Sequence, residues 1–451
     1  MGIFGAMTTA ISGLRGQSTA LEHISGNIAN SQTPGFKRTD TSFTDLVQDL
    51  PWWRQQSGSV QANSRPTNTV QGDIQNAAVP TYMAINGDGF FVVEDQVDFI
   101  DGNPIFSGVD RYTRRGDFEQ DRNGYLVNGG GYFLKGLPID PVTGNTSGSQ
   151  PEQIQISNDF LAAQQTTEAT LRANLADFPL TASADPDVPN SELLSAALLD
   201  ANNDITGANA TNFLDQSIAG GAVTVYDAGG GPVNVQFRWA KMDSTENGGV
   251  DTWNLFYLED ASATGTDVVW RNVDTDYVFN ASGQLDPPVL SAALTGLSVN
   301  GTPVGDITLQ HGSNGITQFA DPNGNAQVTE LSQNGYAAGE LVGVSISSAG
   351  RVTASYTNGR TVDLYQVVLA NFNAANRLQQ MDGGAFSATQ DSGPPILGGE
   401  AGVVGSALEG SNTDIADEFT KLIVTQQAYA AGTRIVTTSD EMIQEALNMI
   451  R

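Results

Sequence analysis

Cysteine is absent from this 451-residue chain. That excludes disulfides and thiolate metal sites. Only two histidines occur, His23 and His311, far apart in sequence, so a histidine-based zinc site would have to draw most of its ligands from carboxylates. Lysine is held to four positions, Lys37, Lys135, Lys241 and Lys421, and Lys plus Arg total 20 against 50 Asp plus Glu. The formal charge of -30 denies the basic footprint that nucleic-acid binding needs. No run approaches the ~18 apolar residues of a membrane span. No Lys or Arg precedes Arg15, and glycine, serine and threonine interrupt the apolar residues from Met1 to Leu14, so no secretory signal is legible.

Catalytic signatures are missing too. No lysine follows a glycine as a phosphate-binding loop requires. Gly87-Asp88-Gly89 begins like a dinucleotide fingerprint, but Val92 stands where the third glycine belongs. No serine has glycine at both flanking second positions, so there is no nucleophile elbow. Asp243, Thr245, Asn247 and Gly248 resemble the start of a calcium loop, yet Asn254 replaces its bidentate Glu and an ordinary turn is expected. No catalytic, cofactor-binding or metal-ligating residue is therefore nominated, and a non-enzyme is expected.

What is present is length enough for two to four domains, an apolar fraction of 39% that can build cores, and 50 glycines. Charged residues reach only 16%, so the polar surface is largely Asn, Gln, Ser and Thr, which suits turn-rich β structure. The acid is uneven. Residues 145–340 hold 24 Asp plus Glu and 4 Lys plus Arg, a net of -20, against -10 over the longer remainder. Such a split describes either a plain solvated surface or a middle facing solvent while the ends are buried in an assembly.

Both ends carry heptads. In the first thirty residues Phe4, Met7, Ile11, Leu14, Ser18, Leu21, Ser25 and Ile28 follow 3–4 spacing. Near the C-terminus Ile415, Leu422, Tyr429, Val436, Ile443 and Ile450 recur every seven residues, with Phe419 and Leu447 in the alternate slot beside Gln426, Thr433 and Asp440. Ser411 to Asp414 supplies capping residues, and a helix from Ile415 to Ile450 would run roughly 50 Å. Gly13, Gly16 and Gly26 weaken the first helix and Gly432 the second, each by about 1 kcal/mol relative to Ala. The two stripes are expected to pair with each other and with other copies, being poorly ordered alone and folding on assembly. His23 falls outside the stripe, where a solvent or inter-subunit polar contact is expected.

Between the ends the period shortens. Tyr82 to Ile85, Gly89 to Val93, Tyr125 to Val127, Leu341 to Ile346, Arg351 to Tyr356 and Tyr365 to Ala370 read as strands, with turn signals at Asn86-Gly87, Asp101-Gly102, Asn123-Gly124, Ala349-Gly350 and Asn358-Gly359. Ala222 to Tyr226, Val233 to Trp239 and Trp253 to Leu258 add strands to the middle, and 158–165 and 192–199 read as short helices. The fold class is a multidomain α+β chain, with a terminal α-helical coiled-coil pair and nested, mainly β domains. The expected division is 1–30 with 410–451 as the helical core, and 31–70 with 386–409 as a connecting segment. Residues 71–144 with 341–385 form a first β domain, and 145–340 an inserted outer one.

Particular stretches are more specific than any of this. Ile24-Ser25-Gly26-Asn27-Ile28-Ala29-Asn30 leads into Thr33-Pro34-Gly35-Phe36-Lys37-Arg38. Ala84 to Val93, Tyr112 to Phe118, Asn123 to Asn128, Leu408 to Asp414, Glu418-Phe419-Thr420 and Gln426 to Tyr429 follow in order. This series closely resembles the flagellar rod and hook family of axial proteins, with Asn27, Asn30, Gly35 and Phe36 as motif residues. The long insertion, Tyr365 to Phe372, Phe386 to Gly393 and Ala222 to Asp227 resemble its hook members rather than its shorter rod members. Three departures stand out: residues Asp95 to Asp110 inserted before the Tyr112 motif, Pro51-Trp52-Trp53-Arg54 without a counterpart, and Gly26 in place of a larger polar residue.

The resemblance implies a homopolymer, a curved flexible tube that passes torque from rod to filament. Its seam would use Ile11, Leu14, Leu21, Ile28, Ile415, Phe419, Leu422, Tyr429, Val436, Ile443, Leu447 and Ile450. It implies the distal rod, the hook cap and the hook–filament junction proteins as neighbours, and uncleaved export to the cell exterior by the flagellar type III apparatus. No nucleic acid, membrane insertion or cofactor is expected. Trp52-Trp53 would anchor a loop on its own domain or pack on a neighbouring copy. The alternatives are a distal rod protein of the same family and, from another class, a secreted adhesin-like β protein.

Overall fold

The computed structural model describes residues 3–46, 59–100, 102–141, 143–398 and 402–449. Ile450 and the Pro51-Trp52-Trp53-Arg54 segment lie outside the described residues. The chain forms two compact units, Met1–Asp159 with Leu341–Arg451, and Phe160–Glu340.

The first unit starts with helix α1 (Ile3–Ala29), continues into an antiparallel hairpin of β1 (Thr39–Leu46) and β2 (Ser59–Pro66), and ends with helix α3 (Ile415–Asn448). The only other α-helix among the described residues, α2 (Ala210–Asp215), is a short one in the second unit. Asp414 caps α3: its Oδ1 accepts from the backbone N–H of Ala416 at 2.8 Å and of Asp417 at 3.2 Å. The hairpin falls in a stretch expected to be a mere connection. Its strands read Thr-Asp-Thr-Ser-Phe-Thr-Asp-Leu and Ser-Val-Gln-Ala-Asn-Ser-Arg-Pro, largely solvent-facing, so the apolar alternation that reveals a strand is missing.

The body of this unit is a sheet whose main path runs through Leu341–Ile346, Arg351–Tyr356, Thr361–Val367, Tyr132–Pro138, Phe90–Ile100 and Asn103–Thr113. Strands from both ends of the long insertion thus lie side by side. Met83, Phe91, Phe118, Leu134, Ile154, Ile156, Val352 and Val367 fill its core. Ile154 and Ile156 enter that core because Glu152–Gln153 pairs with Gly136 and Lys135.

In the second unit two five-stranded sheets enclose one core. Pro232–Asp243 shows why: Val233, Val235, Phe237 and Trp239 are buried at every second position. Trp239 and Tyr277 meet edge-on at 4.9 Å between centroids. The short helices expected at 158–165 and 192–199 do not form. Leu161 and Gln164 bridge instead to Gly339 and Tyr336, and the later stretch holds a 3-10 turn at Ala196–Leu198 flanked by bridges from Leu193 to Lys241 and from Leu199 to Ile205. Cross-strand bonding wins over the weak helical preference of both segments. The calcium-loop lookalike is a 3-10 turn, Thr245–Asn247, capped by the Ser244 side chain.

Candidate assembly site

Helix α1 packs along α3 and on the β1–β2 hairpin. Its buried positions are Gly16, Ala20, Ile24 and Asn27. The hairpin explains Gly16: a Cβ there would lie 3.1 Å from the Phe43 ring. Asn27 joins all three elements. Its Nδ2 donates to the Thr39 carbonyl at 3.0 Å and to Glu418 Oε2 at 3.1 Å, while its Oδ1 accepts from the Thr39 N–H at 3.0 Å. The side chain thereby replaces a backbone partner at the start of β1. Glu418 is fully buried and also accepts from Lys421 at 2.6 Å. His23, half-buried, makes its polar contacts within its own chain. Its ring nitrogens meet Thr41 Oγ1 at 2.7 Å and Ser64 Oγ at 3.0 Å, fastening the helix to both hairpin strands.

On α3 the face turned inward carries Glu418, Thr425, Gly432 and Ser439, seven residues apart. Leu14 lies against Gly432, 2.9 Å from where a Cβ would stand. Of the seam residues read from the sequence, Leu14, Leu21, Ile28, Leu422, Val436 and Ile443 are half-buried in the single chain. Ile11, Ile415, Phe419, Tyr429 and Leu447 are exposed, Phe419 by 49% and Leu447 by 62%. Ile423, Val424, Ile435 and Met442 are exposed as well. The heptad reading passed over these four because it followed one stripe, and the signal lay in apolar residues on the other faces.

Beyond α1 the chain enters a buried ionic cluster. Gly35 takes a left-handed φ of 67°, and a Cβ there would sit 2.6 Å from the Arg114 backbone. The Gly35 N–H donates to the Glu409 carbonyl at 2.8 Å. Lys37 Nζ donates to Glu409 Oε1 at 2.5 Å and to the Val70 carbonyl at 2.7 Å. Arg114 reaches Glu409 Oε2 at 3.2 Å and the Gly87 carbonyl at 2.8 Å, with its guanidinium 5.4 Å from the Phe90 ring centre. The Gly72 N–H adds a third donor to the carboxylate at 2.9 Å. Burial pulls the Lys37 ammonium below its ordinary value, and the Glu409 carboxylate opposes that shift. Beside the cluster, Asn412 Oδ1 accepts from the Arg38 N–H at 2.8 Å, and the Asn412 N–H donates to the Phe36 carbonyl at 3.3 Å. Asn30 closes the end of α1 by donating to Gly26 O at 2.9 Å. Chemically the arrangement is a clamp joining the two helices to the β body. Among the described residues no group of three or more His, Asp or Glu could hold a metal.

The clamp draws its three charges from three separate matches to known families. Residues 7–37, ending at Lys37, match the model described as "Flagella basal body rod protein". Residues 84–171, with Arg114, match "Flagellar hook protein FlgE/F/G D1 domain". Residues 404–449, with Glu409, match "Flagellar basal body rod FlgEFG protein C-terminal". The chain belongs to the flagellar rod and hook family. A fourth match to that family, "Flagellar basal body protein FlaE D2 domain", covers 198–336 in the second unit.

Family relatives align end to end. "Flagellar hook protein FlgE" of Brucella suis is 28% identical over 458 residues, covering 100% of both chains. That of Escherichia coli is 29% identical, covering 98% of this chain and 100% of its own. That of Caulobacter vibrioides is 26% identical over 599 residues, again covering 100% of both. The crystal structure of Helicobacter pylori flagellar hook protein FlgE2 superposes with a TM-score of 0.50 at 14% identity, over 74% of this chain and 100% of that one. This last likeness speaks to the fold, which is mainly β with few helices.

Proposed function

We infer that the chain is a structural, non-catalytic subunit of the bacterial flagellar hook, and that it works by polymerising with copies of itself. The observation that carries this is α3. Large apolar side chains leave it in several directions while its inward face is small and polar. A helix that is apolar on most sides belongs in an interior, and one chain does not supply enough of it. Copies of α1 and α3 complete it, as a coiled-coil inner layer whose seam includes Ile11, Leu14, Leu21, Ile28, Ile415, Phe419, Leu422, Tyr429, Val436, Ile443 and Leu447. The four-part division into helical core, connection, first β domain and inserted domain follows from the same reading. So do torque transmission through a bent tube, junctions with rod, cap and filament-side proteins, and export by the flagellar type III apparatus. The relatives named above are hook proteins, which favours this over a distal-rod or adhesin reading.

Phe419→Asp tests it. The side chain is half-exposed, so the single chain should keep its fold, with stability changed by about 0.5 kcal/mol or less. In a polymer the charge would be buried unpaired, at a cost of several kcal/mol. Sedimentation and negative-stain imaging should show tubes for the native chain and monomers for the variant. Normal tubes from the variant would remove α3 from the interface.

A further inference from the structure

The hairpin Phe90–Ile100 with Asn103–Thr113 outgrows the sheet it belongs to. Its first strand leaves the neighbouring Tyr132–Pro138 at Asp95↔Tyr132. Beyond that point its strands pair only with each other, from Gln96↔Phe106 to Ile100↔Asn103. A lone two-stranded ribbon is marginal in water, and free edges are ordinarily guarded by charge. This one instead exposes Val97, Phe99, Ile100, Ile105 and Val109, by 38% to 67%. The Arg122 guanidinium lies 6.0 Å from the centre of the Phe99 ring.

The other end of the same strand leads to a groove. Phe90 and Phe91 pair with Ala370 and Leu369. Leu369 lines a cleft of about 520 Å³ with Leu137, Pro151, Val368, Leu397 and Val403. The strand covers roughly 33 Å from Phe90 to Ile100 at ~3.3 Å per residue, so knob and groove stand at opposite ends of one sheet. Among the described residues no Asp, Glu, Lys or Arg lines the cleft. In a chain of net charge -30 it is a surface that the acidic tip, with Asp95 and Asp98, can approach without repulsion.

We propose that the hairpin tip of one copy seats in this groove of the next copy. Two unlike, complementary patches on one chain make a heterologous contact, and repetition of such a contact generates an open helical polymer rather than a closed dimer. The inference rests on the hook-subunit reading, which supplies the second copy, and adds an axial contact made by the β body independently of the terminal helices.

The natural lack of cysteine makes the test clean. A Phe99→Cys, Leu397→Cys chain, polymerised and then oxidised, should give a ladder of disulfide-linked multimers on a non-reducing gel, and monomer only when oxidised before polymerisation. A Val250→Cys, Leu397→Cys chain should give no ladder. In parallel, Phe99→Ser with Ile100→Ser should leave the circular dichroism unchanged and raise the protein concentration needed for polymerisation by at least about tenfold. Tubes without a ladder, a ladder of equal strength from the Val250 pair, or an unchanged threshold would each overturn the contact while leaving the hook reading in place. Failure of the native chain to form tubes would strike the hook reading itself.

Discussion

Glu409 sits where α1, the β body and the approach to α3 meet, and it holds two cations with both oxygens buried. Burying three charges is costly, and the cluster endures because each has a partner. Removing one charge is worse than never having buried any. Glu409→Gln keeps the volume and leaves Lys37 and Arg114 facing a neutral amide. Denaturant unfolding of the full chain should show a loss of about 3–5 kcal/mol in the first unit. A loss under ~1 kcal/mol would mean that the cations find other partners. His311 is the corresponding test in the second unit. Its Nδ1 lies 2.9 Å from the Leu171 carbonyl and must donate to it, so Nε2 accepts from the Tyr277 hydroxyl at 2.9 Å. Burial holds the imidazole below its ordinary value of 6.5, against the opposing pull of the hydrogen bond to Leu171. The unfolded chain takes up a proton there as pH falls through ~6.5, and the fold does so only at lower pH. The stability owed to this group is therefore whole above that pH and declines below it, by up to about 1.4 kcal/mol per pH unit. His311→Gln abolishes the effect. The stability difference between native chain and variant should narrow as pH drops from neutral to ~5. A difference that does not vary with pH would show that the histidine titrates normally.

At the scale of elements, Gly432 weighs helix propensity against packing. Alanine there would gain up to ~1 kcal/mol of helix propensity but press on the end of the Leu14 side chain, which can yield. Gly432→Ala should consequently be near neutral. Gly432→Val adds branching that Leu14 cannot avoid and should cost about 1–3 kcal/mol, read as earlier helix melting by far-ultraviolet circular dichroism. Equal melting of the two variants would mean that α1 and α3 do not meet at this point. Both helices were legible because repeats of seven survive over four or more turns, and Asp414 was legible as part of the capping run. The inward faces were not. Asn27, Glu418 and Thr425 look like surface residues in a sequence, and only their partners, 12 or 391 positions away for Asn27, explain their burial. Most body strands were legible from short apolar runs ended by Asn-Gly turns, as at Met83–Asn86 and Arg351–Tyr356. The β1–β2 hairpin was not, since its strands show solvent mostly polar residues. The clamp was half legible: the motifs holding Lys37, Arg114 and Glu409 stood out, but no spacing rule says that three such distant motifs converge.

At the scale of the molecule, all four lysines are committed to ion pairs. Lys37 binds Glu409, Lys135 binds Asp110 at 2.7 Å, Lys241 binds Asp251 at 3.2 Å and Lys421 binds Glu418 at 2.6 Å. No lysine remains to offset the acidic surface, and copies brought together repel over the ~8–10 Å that salt leaves unscreened. Cohesion must then come from apolar area, which is concentrated on α3 and the hairpin tip. In the proposed hook polymer the two terminal helices form the inner layer of the tube. An electron cryomicroscopy reconstruction of the polymerised native chain tests it most directly. The expected result is a helical tube with α1 and α3 innermost and with Phe419, Ile423 and Ile435 enclosed by neighbouring copies. A tube with those side chains facing solvent, or with the helices on its outer surface, would contradict it.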